Sequence, residues 1–127
     1  MIDKFSSKPV YEQIVDGVER NILLGIYPVG AHLPSVRELS VDLGINPNTI
    51  QKSYTELIRR GVICSSPGSG CFVTPQAKRK IRDRAREKLP QLSNLVKELR
   101  LAGIEADELR ETLECALQND MSKGDKS

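Results

Sequence analysis

Histidine is almost absent from this chain, which has His32 as its single one among 127 residues. A catalytic triad or a zinc site needs a histidine with a partner at suitable spacing, and His32 stands in a predicted loop without such a partner. Glycine-rich phosphate and dinucleotide motifs are missing as well. The sequence therefore predicts a protein that is not an enzyme and that uses no cofactor and no metal.

Cysteines are also few, and their spacing excludes the common metal ribbons. The three of them form no C-x-x-C pair, which favours a reducing compartment over a disulfide framework. Cys64 and Cys71 flank a predicted turn, where two buried free thiols are the expected state. The alternative is that they face each other across a hairpin and respond to oxidation.

Long apolar runs and a secretion signal are lacking too. The longest apolar stretches fall far below the roughly 18 residues that a spanning helix needs. We therefore expect a cytoplasmic protein with no membrane partner. At 127 residues and 39% hydrophobic, it has room for one modest core and an appendage. The predicted division is a first domain at 1–75, a helical region at 76–119 and a polar, disordered tail at 120–127.

The segment after residue 34 carries the signals of two helices joined by a tight turn. Ser35 and Glu38 form a capping box, so a helix is predicted to begin there. Gly44 ends it, because glycine adopts the left-handed conformation that turns the chain. Asn46 is a suitable N-cap for the second helix and Pro47 suits its first position. Its predicted buried stripe consists of Ile50, Tyr54, Leu57 and Ile58.

That stripe turns a set of short polar side chains and one lysine towards the opposite side of the second helix. Two helices joined in this way are typical of DNA-binding units. On DNA, side-chain amides suit the edge of adenine, hydroxyls suit a base edge or a phosphate, and lysine suits phosphate. The predicted contacts to base edges or the adjacent backbone are Asn48, Thr49 and Gln51, and those to phosphate are Lys52 and Ser53. Tyr54, with apolar neighbours at helical spacing, is expected in the core.

Two short strands, residues 62–64 and 71–73, are predicted to follow this helix as a hairpin. Gly68, Ser69 and Gly70 lie at its tip, where small residues allow a close approach to a DNA groove or to phosphates. The alternative is that they only make the turn. A first helix is predicted from Val10 to about Leu24, and residues 27–33 are predicted to be a loop or a short strand; the family resemblance described below implies that this segment pairs with the hairpin.

The remaining chain is basic at first and then amphipathic. Seven of the eleven residues at 78–88 are basic, although the whole chain has a net charge of only +2. They either contact phosphate or lie on a solvated helix face. Pro75 is placed to open a helix that includes this basic run, and Pro90 is expected to kink or split it. The apolar residues of this helix, at three- or four-residue steps, are Ile81, Ala85, Leu89, Leu92, Val96 and Leu99. Ala106 to Leu117 predict a further short helix.

Such short amphipathic helices cannot bury their apolar faces by themselves. They either pack back on the first domain or form a homodimer with a second copy. A homodimer related by a two-fold axis would present two recognition helices to a palindromic operator.

The order of motifs from residue 9 to residue 73 resembles the GntR family of bacterial transcription regulators. The residues that carry the resemblance are Pro9, Tyr11, Gln13, Ile14, Ile22, Gly25, Gly30, Leu33, Pro34, Ser35, Arg37, Glu38, Leu39, Thr49, Tyr54, Leu57, Gly61, Gly68, Gly70, Phe72 and Val73. The start of the recognition helix, Asn-Pro-Asn-Thr, lacks the arginine of many members. It looks instead like the YtrA-type subgroup, whose members are short and end in a small helical tail.

The resemblance implies a winged helix-turn-helix followed by a short C-terminal helical dimerisation tail. It also implies a repressor that binds double-stranded operator DNA as a homodimer and controls a neighbouring transport operon, with an unidentified small-molecule effector. Arg37 corresponds to an arginine that the family uses at DNA, and its alternative is a salt bridge to Glu38 or Asp42. The alternative function is a winged-helix protein interaction module that does not read DNA sequence.

Overall fold

The computed structural model describes the backbone of residues 2–126 and the side chains of residues 2–119. Along these residues six helices and one antiparallel hairpin occur in the order α1 (Val10–Leu23), α2 (Val36–Leu43), α3 (Pro47–Arg59), β1 (Ile63–Ser66), β2 (Gly70–Val73), α4 (Ala77–Arg86), α5 (Leu89–Leu101) and α6 (Ala106–Lys126). The predicted fold class, mainly α with a small hairpin wing, is confirmed. That the C-terminal helices dimerise stays a prediction.

The described residues form two compact units, of which the first ends at Ala85 and the second begins at Arg86. The sequence places this boundary earlier, after residue 75. The difference arises from α4, because Ala77 and Ile81 are buried in the core of the first unit. The basic composition of α4 suggests a solvated tail, but the buried side chains of Ala77 and Ile81 attach this helix to the first unit.

The core of the first unit lies between α1, α3, the hairpin and α4. Burial of apolar side chains there supplies the main driving force for folding of this unit. The buried residues are Ile14, Val15, Val18, Ile22, Leu33, Ile45, Ile50, Tyr54, Leu57, Val62, Ile63, Val73, Ala77 and Ile81.

The local signals for the two central helices are confirmed. Ser35 caps α2 as a full capping box, accepting from the Glu38 amide at 3.0 Å while the Glu38 carboxylate accepts from the Ser35 amide at 3.2 Å. Gly44 ends α2 with φ of 66°. The Asn46 side chain caps α3, accepting from the Asn48 amide at 2.8 Å. These caps fix where each helix begins, and hence which residues of α3 form its first turn.

The prediction of the buried stripe of α3 is wrong for one residue, Ile58. Ile50, Tyr54 and Leu57 are buried, but Ile58 is 39% exposed. At about 3.6 residues per turn, Ile58 lies roughly a quarter turn from the centre of the buried face. The fourth buried residue of α3 is Ser53, on the other flank of this face.

The hairpin gains a third short segment from the chain before α2, which confirms the predicted pairing of residues 27–33. The Leu33 amide donates to the Cys71 carbonyl at 2.9 Å, and the Val73 amide donates to the Ala31 carbonyl at 3.0 Å. His32 stands opposite Phe72 in this bridge. The wing is therefore attached to the start of the helix-turn-helix along one edge of β2.

The helices α4 and α5 are separate: α4 ends at Arg86, and α5, in the second unit, begins at Leu89 with Pro90 in its first turn. The predicted split at Pro90 is confirmed. None of the described side chains from Arg86 to Asn119 is buried. The backbone of α6 is helical to Lys126, within the range predicted as a disordered tail. The side chains of 120–126 and the whole of Ser127 lie outside the described residues, so disorder there stays a prediction.

Within residues 2–126, no helix combines the length and the apolar character that crossing a bilayer requires.

An ion-pair network joins α1 to the end of α3. The Arg60 guanidinium donates to Glu56 at 2.7 Å and to Glu19 at 3.1 Å. Hydrogen bonds from Arg59 and Arg60 lower the pKa of Glu56 to about 2. Burial raises the pKa of Glu19, because the cost of desolvating its carboxylate exceeds the gain from Arg60.

Glu56→Gln is expected to lower the free energy of unfolding at pH 7 by about 1 kcal/mol, because these pairs are only partly shielded from water. The pKa of Glu56 is lower in the folded state than its ordinary value of 4.5. Its stabilisation is therefore complete above that value and is lost as the pH falls towards about 2. Urea unfolding at about pH 7 and about pH 3 measures this change.

The control for this measurement is Glu111→Gln, the same chemical change at an exposed glutamate of α6. It is expected to alter the free energy of unfolding by less than about 0.5 kcal/mol at either pH. A Glu56→Gln deficit of the same size at both pH values would contradict the assigned pairing.

Candidate nucleic-acid interface

The first turns of α3 present a polar surface opposite the buried face of the helix. Ile50, Tyr54 and Leu57 hold α3 against the core. Asn48, Gln51 and Lys52 are exposed on the other side, and Thr49 is half-buried at the edge. The structure thus brings four of the residues predicted from helical spacing onto one accessible surface, and amide and hydroxyl groups there suit base edges.

Ser53 does not belong to this surface, and its predicted phosphate contact is wrong. The residue is completely buried. Its hydroxyl lies 3.0 Å from the Tyr11 carbonyl and 3.0 Å from the Thr49 carbonyl, and both can only accept. The sequence suggested a polar, solvent-facing serine, whereas its position three residues after Ile50 puts it on the buried stripe.

Thr55 also lies on the exposed surface, although the sequence pattern did not single it out. It is exposed, and its hydroxyl lies 3.4 Å from the side-chain nitrogen of Gln51, one helical turn earlier. Residues 48, 51, 52 and 55 share one face at helical spacing. The periodicity that selected Gln51 therefore also selects Thr55 as a candidate contact.

Lys52 is held above an aromatic ring. Its ammonium nitrogen lies 4.0 Å from the centre of the Tyr11 ring in the second position of α1. The negative face of an aromatic ring attracts a cation, so this contact fixes the direction of an otherwise flexible side chain. Tyr11 is half-buried, and its phenol donates to Glu12 at 3.2 Å. Sequence spacing gave no signal for a contact between residues 41 positions apart.

Arg37 occupies the second position of α2 and is exposed. The alternative expected from the sequence is a salt bridge to Glu38 or Asp42. In the described part of the chain, the structure has no ion pair on Arg37. Glu38 instead accepts from the Ser35 amide. The guanidinium thus stays accessible to an anion, although its predicted contact with DNA remains a prediction.

The tip of the wing is a tight turn of small, exposed residues. The Ser69 amide donates to the Ser66 carbonyl at 2.9 Å, which closes the turn. Gly68, Ser69 and Gly70 are all exposed, as their predicted role requires. The Ser69 carbonyl also accepts from the ring of His32 at 2.6 Å, a contact that the sequence analysis did not predict.

The two wing cysteines do not face each other. Cys64 is opposite Phe72 in the hairpin, and Cys71 is opposite Ser65. Because neighbouring residues of a strand point to opposite faces, this register places the two thiols on different faces of the hairpin. Cys64 is also exposed, so the expectation of two buried thiols is wrong, and the register offers no route to a disulfide between them. Burial raises the pKa of the Cys71 thiol.

The basic side chains of α4 are mostly exposed. Lys78, Arg79, Lys80 and Arg82 face solvent, and Arg84 is half-buried. Arg79 donates to the side chain of Gln76 at 3.0 Å. Because α4 belongs to the first unit, this charge is carried by the winged helix itself. A contact between these residues and phosphate remains a prediction.

Comparison with known proteins places this arrangement in a family. The model for bacterial regulatory proteins, gntR family, matches residues 10–73. The HTH-type transcriptional repressor YtrA of Bacillus subtilis (strain 168) is 36% identical over 127 residues, which cover 99% of this chain and 97% of the repressor. A crystal structure of a transcriptional regulator from Oenococcus oeni gives a TM-score of 0.72 at 30% identity, covering 91% of this chain and 96% of that one.

A further solved structure contains DNA. The crystal structure of AraR(DBD) in complex with operator ORX1 gives a TM-score of 0.54 at 26% identity. It covers 58% of this chain and 92% of that chain. The similarity to the winged helix therefore extends to a relative that was solved on an operator.

Ser53→Ala tests the corrected role of Ser53. We expect it to lower the free energy of unfolding by about 1 kcal/mol, because a buried hydrogen bond between α1 and α3 is lost. Urea unfolding followed by circular dichroism measures the change. Thr55→Ala, which removes an exposed hydroxyl of the same helix, is the control and is expected to change stability by less than about 0.5 kcal/mol. Equal effects of the two changes would refute the assignment.

Proposed function

This chain belongs to the GntR family of bacterial regulatory proteins, and on that premise we propose that it represses transcription by binding a palindromic operator as a homodimer. The family and the relatives consist of transcription regulators and not of enzymes. The observation that carries the proposal is the accessible polar surface on the first turns of α3, opposite the residues that fix this helix in the core. A regulator with this role acts in the cytoplasm, where the chromosome lies.

The proposed DNA contacts divide by chemistry. Asn48, Thr49 and Gln51 contact base edges or the adjacent backbone, and Thr55 extends this surface by one turn. Lys52 contacts phosphate, with its ammonium group directed by the Tyr11 ring. Arg37 contacts the backbone or the edge of the groove from α2, the helix that crosses the duplex in this motif.

The wing tip makes a second proposed contact. Gly68, Ser69 and Gly70 have little or no side chain, so their backbone can approach phosphates or the minor groove closely. Their exposure supports this role.

The homodimer is supported by the apolar side chains of the second unit. Leu92 and Leu95 of α5 are 46% and 50% exposed, and Leu113 and Leu117 of α6 are 49% and 52% exposed. A pair of helices without a buried side chain has little to stabilise it in water. A second copy covers such a surface with an identical one, and the two-fold axis then relates two copies of α3 to two half-sites about one helical turn of DNA apart.

We propose a neighbouring transport operon as the regulated target, because the chain resembles the YtrA-type subgroup. The small-molecule effector that would release the protein from DNA remains unidentified. The competing function is a winged-helix interaction module that binds a protein and does not read DNA sequence.

The first experiment measures binding to DNA from the promoter region of the protein's own gene and to random DNA of equal length. A sequence-specific regulator is expected to bind the promoter at least about a thousandfold more tightly. Equal, weak and salt-sensitive binding to both would contradict repression at that promoter and favour the interaction module.

Lys52→Ala is expected to weaken binding to all DNA sequences and to reduce the slope of log affinity against log salt by about one, since one phosphate contact is lost. A salt titration by fluorescence anisotropy measures both effects. Lys97→Ala, at an exposed lysine of α5, is the matched control and is expected to leave the slope unchanged. An unchanged slope for Lys52→Ala would remove Lys52 from the interface.

Leu92→Glu combined with Leu113→Glu tests the dimer. The unmodified protein is expected to sediment at twice the 14.1 kDa of one chain, and the variant at the mass of one chain. Leu101→Glu is the control, because Leu101 is 91% exposed and lies on the opposite side of α5 from Leu92 at about 3.6 residues per turn. A monomeric unmodified protein would disprove the homodimer.

A further inference from the structure

The only histidine of the described chain joins the start of the helix-turn-helix to the tip of the wing. His32 Nε2 lies 2.6 Å from the carbonyl oxygen of Ser69. A carbonyl oxygen can only accept, so this ring nitrogen carries a hydrogen and donates it. We propose that His32 is a positioning residue that holds the wing tip in the conformation that contacts DNA. This inference rests on the proposed function of the wing.

His32 is itself fixed on two sides. Its neighbours pair with β2 through the Leu33 amide to Cys71 and the Val73 amide to Ala31. Its imidazole packs edge to face on the Phe72 ring, with the ring centres 4.9 Å apart and the planes at 76°. The backbone pairing and the Phe72 ring therefore hold the imidazole in place independently of its hydrogen bond to Ser69.

Gly70 provides the space that this contact needs. Its φ is 92°, a conformation that favours glycine, and a Cβ atom placed on it would lie 2.7 Å from His32 Nε2. Gly68 at the same tip also has a positive φ, 77°, but a Cβ atom there would meet nothing within 4 Å. The two glycines thus share the backbone requirement, and Gly70 alone of the pair also accommodates the imidazole.

The contact has a direct consequence for binding. A short exposed turn that is free to move loses conformational entropy when it docks on DNA. A turn that is already held by a hydrogen bond loses less, and its affinity is higher for that reason. His32 acts in this way through the Ser69 carbonyl, and leaves the Ser69 hydroxyl to other partners.

The first test compares His32→Phe with the unmodified protein. Phenylalanine keeps a ring beside Phe72 but cannot donate to Ser69. We expect the wing-tip amides of Ser69 and Gly70 to exchange with solvent faster in the free variant, and affinity for a mixed-sequence duplex of about 30 base pairs to fall about fivefold, the effect of one hydrogen bond. Unchanged exchange together with unchanged affinity overturns the proposal.

The second test is a double-mutant cycle. Gly70→Ala and Gly68→Ala each introduce a methyl group at positive φ, but only the first meets the imidazole. Gly70→Ala is expected to weaken duplex binding more than Gly68→Ala does. This difference is expected to disappear when both are made in a His32→Ala background, where the ring is absent. A difference of the same size in both backgrounds overturns the proposal.

These readouts separate failure of the inference from failure of the proposed function. If the unmodified protein does not bind the duplex, the DNA-binding role of the wing fails and the inference fails with it. If the unmodified protein binds and the His32 variants bind equally well, only the positioning role fails. Thermal unfolding of each variant, with a cooperative transition, establishes that the comparison is made between folded proteins.

Discussion

Burial of one face of α3 is the constraint on which the rest of the first unit depends. Ile50 and Leu57 are completely shielded from solvent, and Tyr54 is 2% exposed. The Tyr54 phenol donates to the Pro34 carbonyl at 2.6 Å, which ties α3 to the residue before the α2 cap. Burial also raises the pKa of Tyr54. Because this face cannot rotate away from the core, the polar first turns must point outward.

The same constraint organises the elements around α3. The α1 helix packs along it, with Ser53 and Arg60 each bonded to a residue of α1. The wing is attached at the C-terminal end of α3, where Val62, three residues after Arg59, lies in the core. The α3 helix and the wing are thus parts of one packed unit rather than separate arms, and preorganised surfaces lose less entropy when they bind.

Local signals in the sequence predicted the helix boundaries well. A capping box, an N-cap followed by proline and a glycine after the last turn each act within a few residues, so Ser35, Asn46 and Gly44 could be interpreted without knowledge of the fold. Helical period likewise selected the exposed Asn48, Gln51 and Lys52 correctly. The helical period of the apolar residues does not show which polar residues also lie on the buried face. Ser53 was assigned to the exposed side for that reason.

What the sequence did not predict depends on contacts between distant segments. The register of the hairpin places Cys64 and Cys71 on different faces, and a register shifted by one residue would place them on the same face. No local sequence pattern specifies this register. The attachment of α4 rests on Ala77 and Ile81 meeting a core formed far earlier in the chain. The contact of His32 with Ser69 has the same origin, because 37 residues separate the partners.

The buried serine of α3 has a geometric consequence for the surface above it. Ser53 lies where α3 meets the backbone of α1, and its hydroxyl reaches the Tyr11 carbonyl directly. A small side chain at a helix crossing lets the two axes approach closely, and a larger one separates them. Ser53 therefore belongs to the spacing between α1 and α3, the two helices that carry the Tyr11 ring and the Lys52 ammonium group. A residue with no access to solvent is in this way part of the support beneath a positive charge at the surface.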